Sequence, residues 1–220
     1  MIKHHIHPEI LMAYAAGKTS PSVSLIVASH ITLCAECRKV VEDFENLGGK
    51  FLEDSDPVEI NSSSLENILV KIDNIELDDQ FVEPTNKVNS FKNMPSVLSK
   101  YLPDTDKLTD KWKKSIGGIR YFDIDLGDFK QNTHARMLSI PPGRKLPHHG
   151  HESQELTLVL EGGFKDENGS YNAGDVAIED ENNLHTPVSD PSEGCVCLVV
   201  YEGKLKFKGL FGPILNILNK

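Results

Sequence analysis

The sequence lacks any uninterrupted run of about 18 apolar residues, so it does not predict a transmembrane helix. Residues 1–5 also lack the apolar stretch of a signal peptide, which indicates a cytoplasmic protein. Basic residues are in deficit, since 23 Lys and Arg stand against 33 Asp and Glu and give a net charge of -10. An acidic surface repels nucleic acid and suits a basic protein partner. We therefore expect no membrane insertion and no direct binding of nucleic acid.

Cysteine is also scarce, with four in 220 residues. These four form two close pairs, Cys34 with Cys37 and Cys195 with Cys197. In a cytoplasmic chain, such pairs indicate metal or redox sites before structural disulfides. The length of the chain allows one large domain or two small ones, each able to bury a core.

The first third of the chain has helical periodicity and helix-start signals. It predicts four helices. The first covers residues 8–16, and the second begins at Ser20 and Pro21. The third runs from near Cys34 to Gly48 and Gly49, and the fourth starts with a capping box at Ser63 and Glu66.

The predicted fourth helix carries an apolar stripe at spacings of three and four, which consists of Leu65, Ile68, Leu69, Ile72 and Ile75. Such a stripe most often closes the core of a helical bundle. It can also dock into a groove of another protein. The spacing favours the core interpretation and leaves the docking interpretation open.

The pattern changes in the middle of the chain. From Asp78 to about Lys113 the apolar density falls and prolines interrupt, which predicts a linker and a domain boundary near residue 90. Beyond Ser115, short alternating runs are separated by Gly, Asn and Asp, as in an antiparallel β sandwich or barrel. The predicted strands are residues 119–126, 133–140, 155–161, 163–166, 175–178 and 196–202. The apolar residues 210–218 are expected to cover an edge or end of this β domain.

A first candidate metal site lies where the second helix ends. His30 and Cys34 are one helical turn apart and Cys37 follows by three, so three ligands can meet around one tetrahedral ion. The fourth ligand of a structural zinc site would come from His4, His5 or His7. The alternative is a pair of ordinary thiols beside an exposed histidine.

A second candidate metal site lies in the β half. His149, His151 and Glu155 alternate on one face of a strand, and His185 comes thirty residues later on a neighbouring element. Three imidazoles and a carboxylate suit a divalent ion with open positions, and zinc, iron, manganese and nickel all accept these ligands. Alternation places His148 on the outside. The alternative is a site that holds metal only weakly or structurally.

The pair Cys195 and Cys197 is spaced by two and is expected to share a strand face in the β domain. Buried free cysteines are common in cores, and we favour that interpretation. The alternative is a thiol pair near the metal that responds to oxidants.

These motifs together resemble a known family. His5, His30, Cys34 and Cys37 are arranged as in the zinc-binding anti-sigma domain. The spacing of glycines, histidines and glutamate from Gly143 to Gly162 is similar to the first cupin motif. Gly174, Asp175 and His185 resemble the second, although Ala173 replaces its usual proline and the asparagine after its histidine is absent. Nearly the whole chain therefore resembles a ChrR-type anti-sigma factor.

The resemblance implies an α + β architecture of two domains. Residues 1–90 would form an all-α bundle stapled by zinc at His5, His30, Cys34 and Cys37, and residues 114–220 an antiparallel cupin barrel of the jelly-roll type. The cupin would bind a divalent metal, with zinc the expected ion, through His149, His151, Glu155 and His185.

The resemblance also implies a role in the regulation of transcription. The N-terminal domain would bind and inhibit an extracytoplasmic-function sigma factor. Our hypothesis from the apolar stripe is that Leu65, Ile68, Leu69 and Ile72 lie in the contact. The cupin would sense oxidative stress of the singlet-oxygen type and trigger release of the sigma factor. No catalytic residue is assigned. The competing hypothesis is a metal-dependent cupin enzyme, a dioxygenase or isomerase, with an accessory zinc domain.

Overall fold

The structure is a computed structural model that describes residues 1–75, 94–102, 111–126, 133–203 and 205–207. The described helices are α1 Pro8–Ala15, α2 Pro21–Leu33, α3 Ala35–Glu53, α4 Ser64–Asp73 and α5 Ser96–Ser99. The described strands are β1 Lys113–Lys114, β2 Arg120–Ile124, β3 Thr133–Ile140, β4 His149–His151, β5 Glu155–Lys165, β6 Ser170–Asn172, β7 Val176–Glu179, β8 Val188–Ser189, β9 Cys195–Glu202 and β10 Leu205–Phe207. The predicted order, helices first and then antiparallel strands, is confirmed.

The first three helices begin where the sequence predicts. Pro8 and Pro21 occupy first-turn positions, where the missing N–H costs nothing, and the Ser20 side chain accepts a hydrogen bond from Val23 N at 3.3 Å. The Cys34 thiol takes the same capping position at the start of α3, where it accepts from Cys37 N at 3.4 Å. Cys34, a predicted metal ligand, is thus also the N-cap residue of α3.

The fourth helix differs from the prediction in two ways. Its capping box does not form, because the Asn61 side chain accepts from both the backbone N and the hydroxyl of Ser63. In addition, α4 has no buried residue, and its apolar stripe is exposed to solvent. The prediction that this stripe closes the helical core is therefore wrong for the described part of the chain.

The strands pair in antiparallel fashion throughout. One sheet runs in the order β1-β2-β3-β9-β5-β6, with β7 and β8 also paired to β5, and a two-stranded sheet joins β10 to β4. The long central strand β5 merges two strands that were predicted separately, with an irregularity in its pairing between Val159 and Glu161. Strand β5 therefore has the most pairing partners in the sheet, with β9, β6, β7 and β8 all hydrogen-bonded to it.

The two faces of β5 have different surroundings, because side chains alternate along a strand. Leu156, Leu158 and Leu160 belong to one buried cluster with Leu25 and Ile26 of α2. The opposite face, which we call the inner face, carries Glu155, Thr157 and Val159, all buried. Helix α2 thus covers one face of the sheet, and the inner face carries the buried polar residues discussed below.

The chain before the β strands also contributes to the buried cluster. Leu98 of α5 is fully buried and Leu102 is buried, so these two residues of the segment predicted as a linker pack into the cluster formed by α2 and the sheet. The predicted domain boundary near residue 90 and the apolar residues 210–218 lie outside the described residues. In the described residues, no helix is long and apolar enough to cross a membrane.

Candidate metal centres

Four side chains near the N-terminus converge on one point. The ligand atoms of His5, His30, Cys34 and Cys37 all lie within 4.8 Å of one another, and we call these residues the N-terminal donor group. His5 Nδ1 lies 3.3 Å from the Cys34 sulfur and 3.6 Å from the Cys37 sulfur. Two sulfurs and two imidazoles in a compact cluster are the donor set of a structural zinc site.

Among the three candidate histidines at the N-terminus, the structure brings His5 into this group. His4 points elsewhere, with its ring centroid 4.5 Å from that of Tyr171. His7 is exposed at the start of α1. Alternation in an extended segment explains the difference between His4 and His5, because neighbouring side chains point to opposite sides, whereas His7 is the N-cap residue of α1.

His30 is held so that one ring nitrogen remains free for a ligand. Its Nδ1 lies 3.1 Å from the carbonyl oxygen of Gly174, and since a carbonyl only accepts, Nδ1 carries the proton. His30 Nε2 is buried and has no hydrogen-bond partner. Burial lowers the pKa of His30 from 6.5 to about 4, with the Gly174 hydrogen bond opposing this shift. A buried, neutral imidazole with an unpaired nitrogen facing two thiols fits a bound cation.

The ionisation of the Cys34 and Cys37 thiols depends on whether a cation is present. Burial raises the pKa of the Cys37 thiol, and the nearby Cys34 raises it further. Two adjacent thiolates are therefore unfavourable in this buried place without a positive charge. A divalent ion supplies that charge and binds thiolates directly.

Three histidines converge in the β region, and we call His149, His151 and His185 the three-histidine group. His185 Nε2 lies 3.2 Å from Nε2 of His149 and 3.2 Å from Nε2 of His151. A tetrahedral ion with bonds of about 2.0–2.1 Å separates its nitrogen ligands by roughly 3.3–3.4 Å. Both separations from His185 therefore fit nitrogen ligands of one metal ion.

The backbone explains how residues so distant in sequence meet. His149 and His185 form an isolated antiparallel bridge, with hydrogen bonds of 3.1 and 3.0 Å between their backbone N and O atoms. His151 lies two residues further along β4 and shares its side with His149. Burial lowers the pKa of His149 to about 4 and that of His151 to about 3, so both rings are neutral near pH 7 and can donate lone pairs.

Glu155, the predicted fourth ligand, lies beside this group and is not part of it. Its Oε2 is 3.3 Å from His151 Nδ1, and its Oε1 accepts a hydrogen bond from the Thr157 hydroxyl at 3.2 Å. Glu155 Oε2 and His151 Nδ1 are close enough for a hydrogen bond, but their geometry does not form one, since His151 Nδ1 has no hydrogen-bond partner. Burial raises the pKa of Glu155 to about 7. Its role as a ligand remains a prediction.

Two carboxylates that the sequence analysis missed lie behind His185. Asp166 Oδ2 is 2.9 Å from His185 Nδ1, and Glu179 Oε1 is 3.9 Å from the same nitrogen. Asn168 donates to both carboxylate oxygens of Glu179, at 3.2 and 2.9 Å. Although burial acts to lower it, the pKa of His185 is raised, first by the Asp166 hydrogen bond. No periodic pattern marks Asp166, which lies just before a turn.

Three other residues discussed in the sequence analysis, His148, Cys195 and Cys197, lie outside both donor groups. His148 is exposed, as alternation predicted, and its Nδ1 lies 2.9 Å from the Thr186 hydroxyl. Cys195 and Cys197 are both buried in an apolar cluster on the inner face that also contains Val159, so their place in a core is confirmed. The hydrogen bond with Cys195, together with burial, raises the pKa of Cys197 well above its usual value.

The residues predicted to contact a protein partner form a continuous exposed surface on α4. We call Leu65, Ile68, Leu69 and Ile72 the α4 stripe, and each of them is more than half exposed. Further exposed apolar residues precede it in the chain, namely Phe51, Leu52, Val58 and Ile60. Apolar side chains at this spacing on an exposed helix face are typical of a helix that docks into a groove.

Known proteins resemble this chain over almost all of its length. Residues 102–205 match the family described as the ChrR cupin-like domain. The chain is 36% identical to anti-sigma-E factor ChrR of Cereibacter sphaeroides, over 98% of this chain and 97% of that protein. It is also similar to a chain in the crystal structure of Rhodobacter sphaeroides SigE in complex with the anti-sigma ChrR. That similarity has a TM-score of 0.75 and 34% identity, and it covers 92% of this chain and 100% of that one. The chain therefore belongs to the ChrR family of anti-sigma factors.

Proposed function

We propose that this protein is a cytoplasmic anti-sigma factor that binds and inhibits an extracytoplasmic-function sigma factor through its N-terminal helices. The observation that carries the proposal is the similarity over 98% of the chain to a protein named as an anti-sigma factor. A related chain was crystallised in complex with SigE, which makes a sigma factor the expected partner here.

The exposed α4 stripe supports this proposal physically. A helix whose apolar face has no neighbour gains free energy when another protein covers that face. Ile68 and Ile72 are 53% and 54% exposed, so substantial apolar area is available for burial. The net charge of -10 adds attraction towards a basic partner. In this proposal the α4 stripe contacts the sigma factor and helps to keep it from core RNA polymerase.

The N-terminal donor group would hold zinc. Its ion would fasten the segment before α1 to the junction of α2 and α3, and it would add folding free energy to a small helical bundle. A zinc ion held there would crosslink these segments and would supply no redox chemistry. The helices that present α4 to the partner would then depend on the metal for their arrangement.

The three-histidine group, with Glu155 as the proposed fourth ligand, would make the β region a metal-dependent sensor. Zinc is the expected ion, and iron, manganese and nickel accept the same ligands. As a proposal from family resemblance, oxidative stress of the singlet-oxygen type acts on this region and the sigma factor is released. The buried, neutral imidazoles support metal binding, because a neutral ring can donate a lone pair to a cation and the three ligand nitrogens already lie within 4.8 Å of one another.

Co-expression with an extracytoplasmic-function sigma factor of the same organism tests the inhibitory function. The full chain should co-purify with the sigma factor, and Cys34→Ala or His30→Ala should abolish the complex and raise transcription from the sigma factor's promoters. His185→Ala should leave the complex intact and block its dissociation when a photosensitiser generates singlet oxygen. Absence of a complex with the unaltered chain would refute the anti-sigma proposal.

The second candidate function is a cupin enzyme, which the convergence of three histidine nitrogens on one point favours. Such an ion, with an open coordination position, could activate dioxygen or polarise a substrate oxygen. This candidate predicts turnover of a small substrate that is lost in His149→Ala, His151→Ala and His185→Ala. It fails if these changes alter only the release of the sigma factor.

A further inference from the structure

The turn between β6 and β7 lies directly against the N-terminal donor group. Gly174 in this turn accepts the hydrogen bond from His30 Nδ1 at 3.1 Å, across 144 positions of sequence. With Nδ1 fixed in this way, the ring can rotate little and its Nε2 is held towards the other three donors. A residue of the β region thus sets the orientation and tautomer of a proposed ligand on α2.

The next residue of the turn holds the segment that carries the second histidine ligand. Asp175 Oδ1 accepts hydrogen bonds from Lys3 N at 2.6 Å and from His4 N at 3.0 Å. Val176 N donates to the His4 carbonyl oxygen at 3.1 Å. Three hydrogen bonds therefore fix the backbone just before His5. The Asp175 side chain is buried, and its other oxygen accepts from the backbone N of Asn172 at 2.9 Å.

Packing around the same turn leaves little room for movement. Gly174 has a φ of +94°, and a Cβ at that position would lie 2.7 Å from Ile2 Cγ1, so this close approach requires glycine. The ring of His4 contacts Tyr171 on the other side of the turn. The first residues of the chain thus pack closely against the turn between β6 and β7.

We propose that Gly174 and Asp175 are positioning residues of the N-terminal metal site, although both belong to the β region. The inference rests on the proposed metal binding by the N-terminal donor group, and it adds that two of the four ligands take their geometry from one distant turn. Partners that orient metal ligands typically change metal affinity by about 10–100-fold. The β region would therefore contribute to the geometry of the N-terminal metal site, and that metal site would in turn hold the helices together.

The position of this turn connects the two metal groups along the chain. Strand β7 begins directly after Asp175 and ends at Glu179, which lies 3.9 Å from His185. A shift of β7 relative to the helices would break the hydrogen bonds to Lys3, His4 and His30. The turn is thus a place where a change in the β region alters the N-terminal donor group.

The full-length chain with Asp175→Ala tests this proposal, and Asp190→Ala is a matched control. Asp190 also accepts hydrogen bonds from backbone N–H groups in a turn of the β region, those of Ser192 and Glu193, but it belongs to a different turn. The measurement is zinc affinity by chelator competition, together with the absorption spectrum after cobalt substitution. Thiolate-to-cobalt charge-transfer bands report the N-terminal donor group alone, because the three-histidine group contains no sulfur ligand.

We expect Asp175→Ala to weaken metal binding at the thiolate site by about tenfold or more and to change its cobalt spectrum. Asp175→Asn, which keeps an acceptor oxygen, should recover part of the affinity, and Asp190→Ala should match the unaltered chain. Equal affinities and spectra for Asp175→Ala and Asp190→Ala would overturn the proposal.

A second pair of variants leaves the β region unchanged and tests the same proposal if Asp175→Ala does not fold. Lys3→Pro removes the N–H that makes the shorter hydrogen bond to Asp175, whereas Lys3→Ala keeps it. Lys3→Pro should weaken metal binding relative to Lys3→Ala, and equality of the two would overturn the proposal. If the unaltered chain gives no charge-transfer band, the proposed zinc site itself fails, which is a distinguishable result.

Discussion

His185 and Asp166 form a hydrogen-bonded pair in which the two ring nitrogens of the histidine face opposite ways. Nδ1 lies 2.9 Å from Asp166 Oδ2, and Nε2 lies 3.2 Å from Nε2 of His149. The carboxylate therefore places the proton on Nδ1 and leaves Nε2 as the ligand atom. Such carboxylate–histidine pairs fix the orientation of metal ligands and make them more basic.

Loss of this carboxylate should weaken metal binding at the three-histidine group. For Asp166→Asn we predict a decrease in affinity of about 10–100-fold, because the amide no longer secures the tautomer of His185. Chelator competition on the purified protein measures the change. Asp190→Asn, at a turn that does not contact the group, should have no effect, and the same affinity in both variants would contradict the prediction.

Elemental analysis should find two metal equivalents per chain if both donor groups are sites. Cys37→Ser should remove one equivalent and leave the other, whereas His185→Ala should do the reverse. The physical reason is that each ion needs its own complete ligand set. If one equivalent is bound and a single variant removes it, the other group is not a metal site.

Substitution in the α4 stripe should separate binding from stability. Ile68→Asp places a charge in the proposed interface, and we predict at least a tenfold loss of affinity for the sigma factor, about 1.4 kcal/mol or more. Val70→Asp is the matched control, because Val70 is 54% exposed, like Ile68 at 53%, but lies on the opposite side of the helix. Affinity can be measured by calorimetry, and equal losses in both variants would contradict a role for the stripe.

The packing of α5 against α2 and the sheet should contribute strongly to stability. Leu98 is fully buried, so Leu98→Ala should lower the free energy of unfolding by about 2–5 kcal/mol. Leu69→Ala on exposed α4 should change it by less than about 0.5 kcal/mol in the absence of a partner. Urea denaturation of both variants measures the difference. A small loss for Leu98→Ala would mean that α5 is not part of the core.

The sequence was sufficient to predict the helix starts and strand ends that depend on neighbouring residues alone. The start of α2 follows from Ser20 and Pro21, and the predicted strand 133–140 matches β3 at both ends. The third helix extends past its predicted end at Gly48 and Gly49 to Glu53. A glycine inside a helix costs only about 1 kcal/mol relative to alanine, so it weakens a helix without having to end it.

Contacts between distant parts of the chain could not be predicted in the same way. The hydrogen bond from His30 to Gly174 and that from Lys3 to Asp175 join residues more than 140 positions apart. No spacing rule connects such residues. The α4 stripe shows a related limit, because a core-facing stripe and a partner-facing stripe have the same periodicity. The convergence of His30, Cys34 and Cys37 was predictable because metal ligands constrain both residue type and spacing. Spacing left the fourth ligand open among His4, His5 and His7, and only the family resemblance selected His5.

Competition with core RNA polymerase tests the proposed function most directly. In this experiment the purified chain, loaded with zinc, is titrated into a mixture of the cognate sigma factor and core polymerase, and the amount of holoenzyme is measured. We predict that equimolar chain abolishes holoenzyme formation, and that Ile68→Asp does so only at much higher concentration. Holoenzyme formation that is unaffected by excess unaltered chain would contradict the proposal that this protein is an anti-sigma factor.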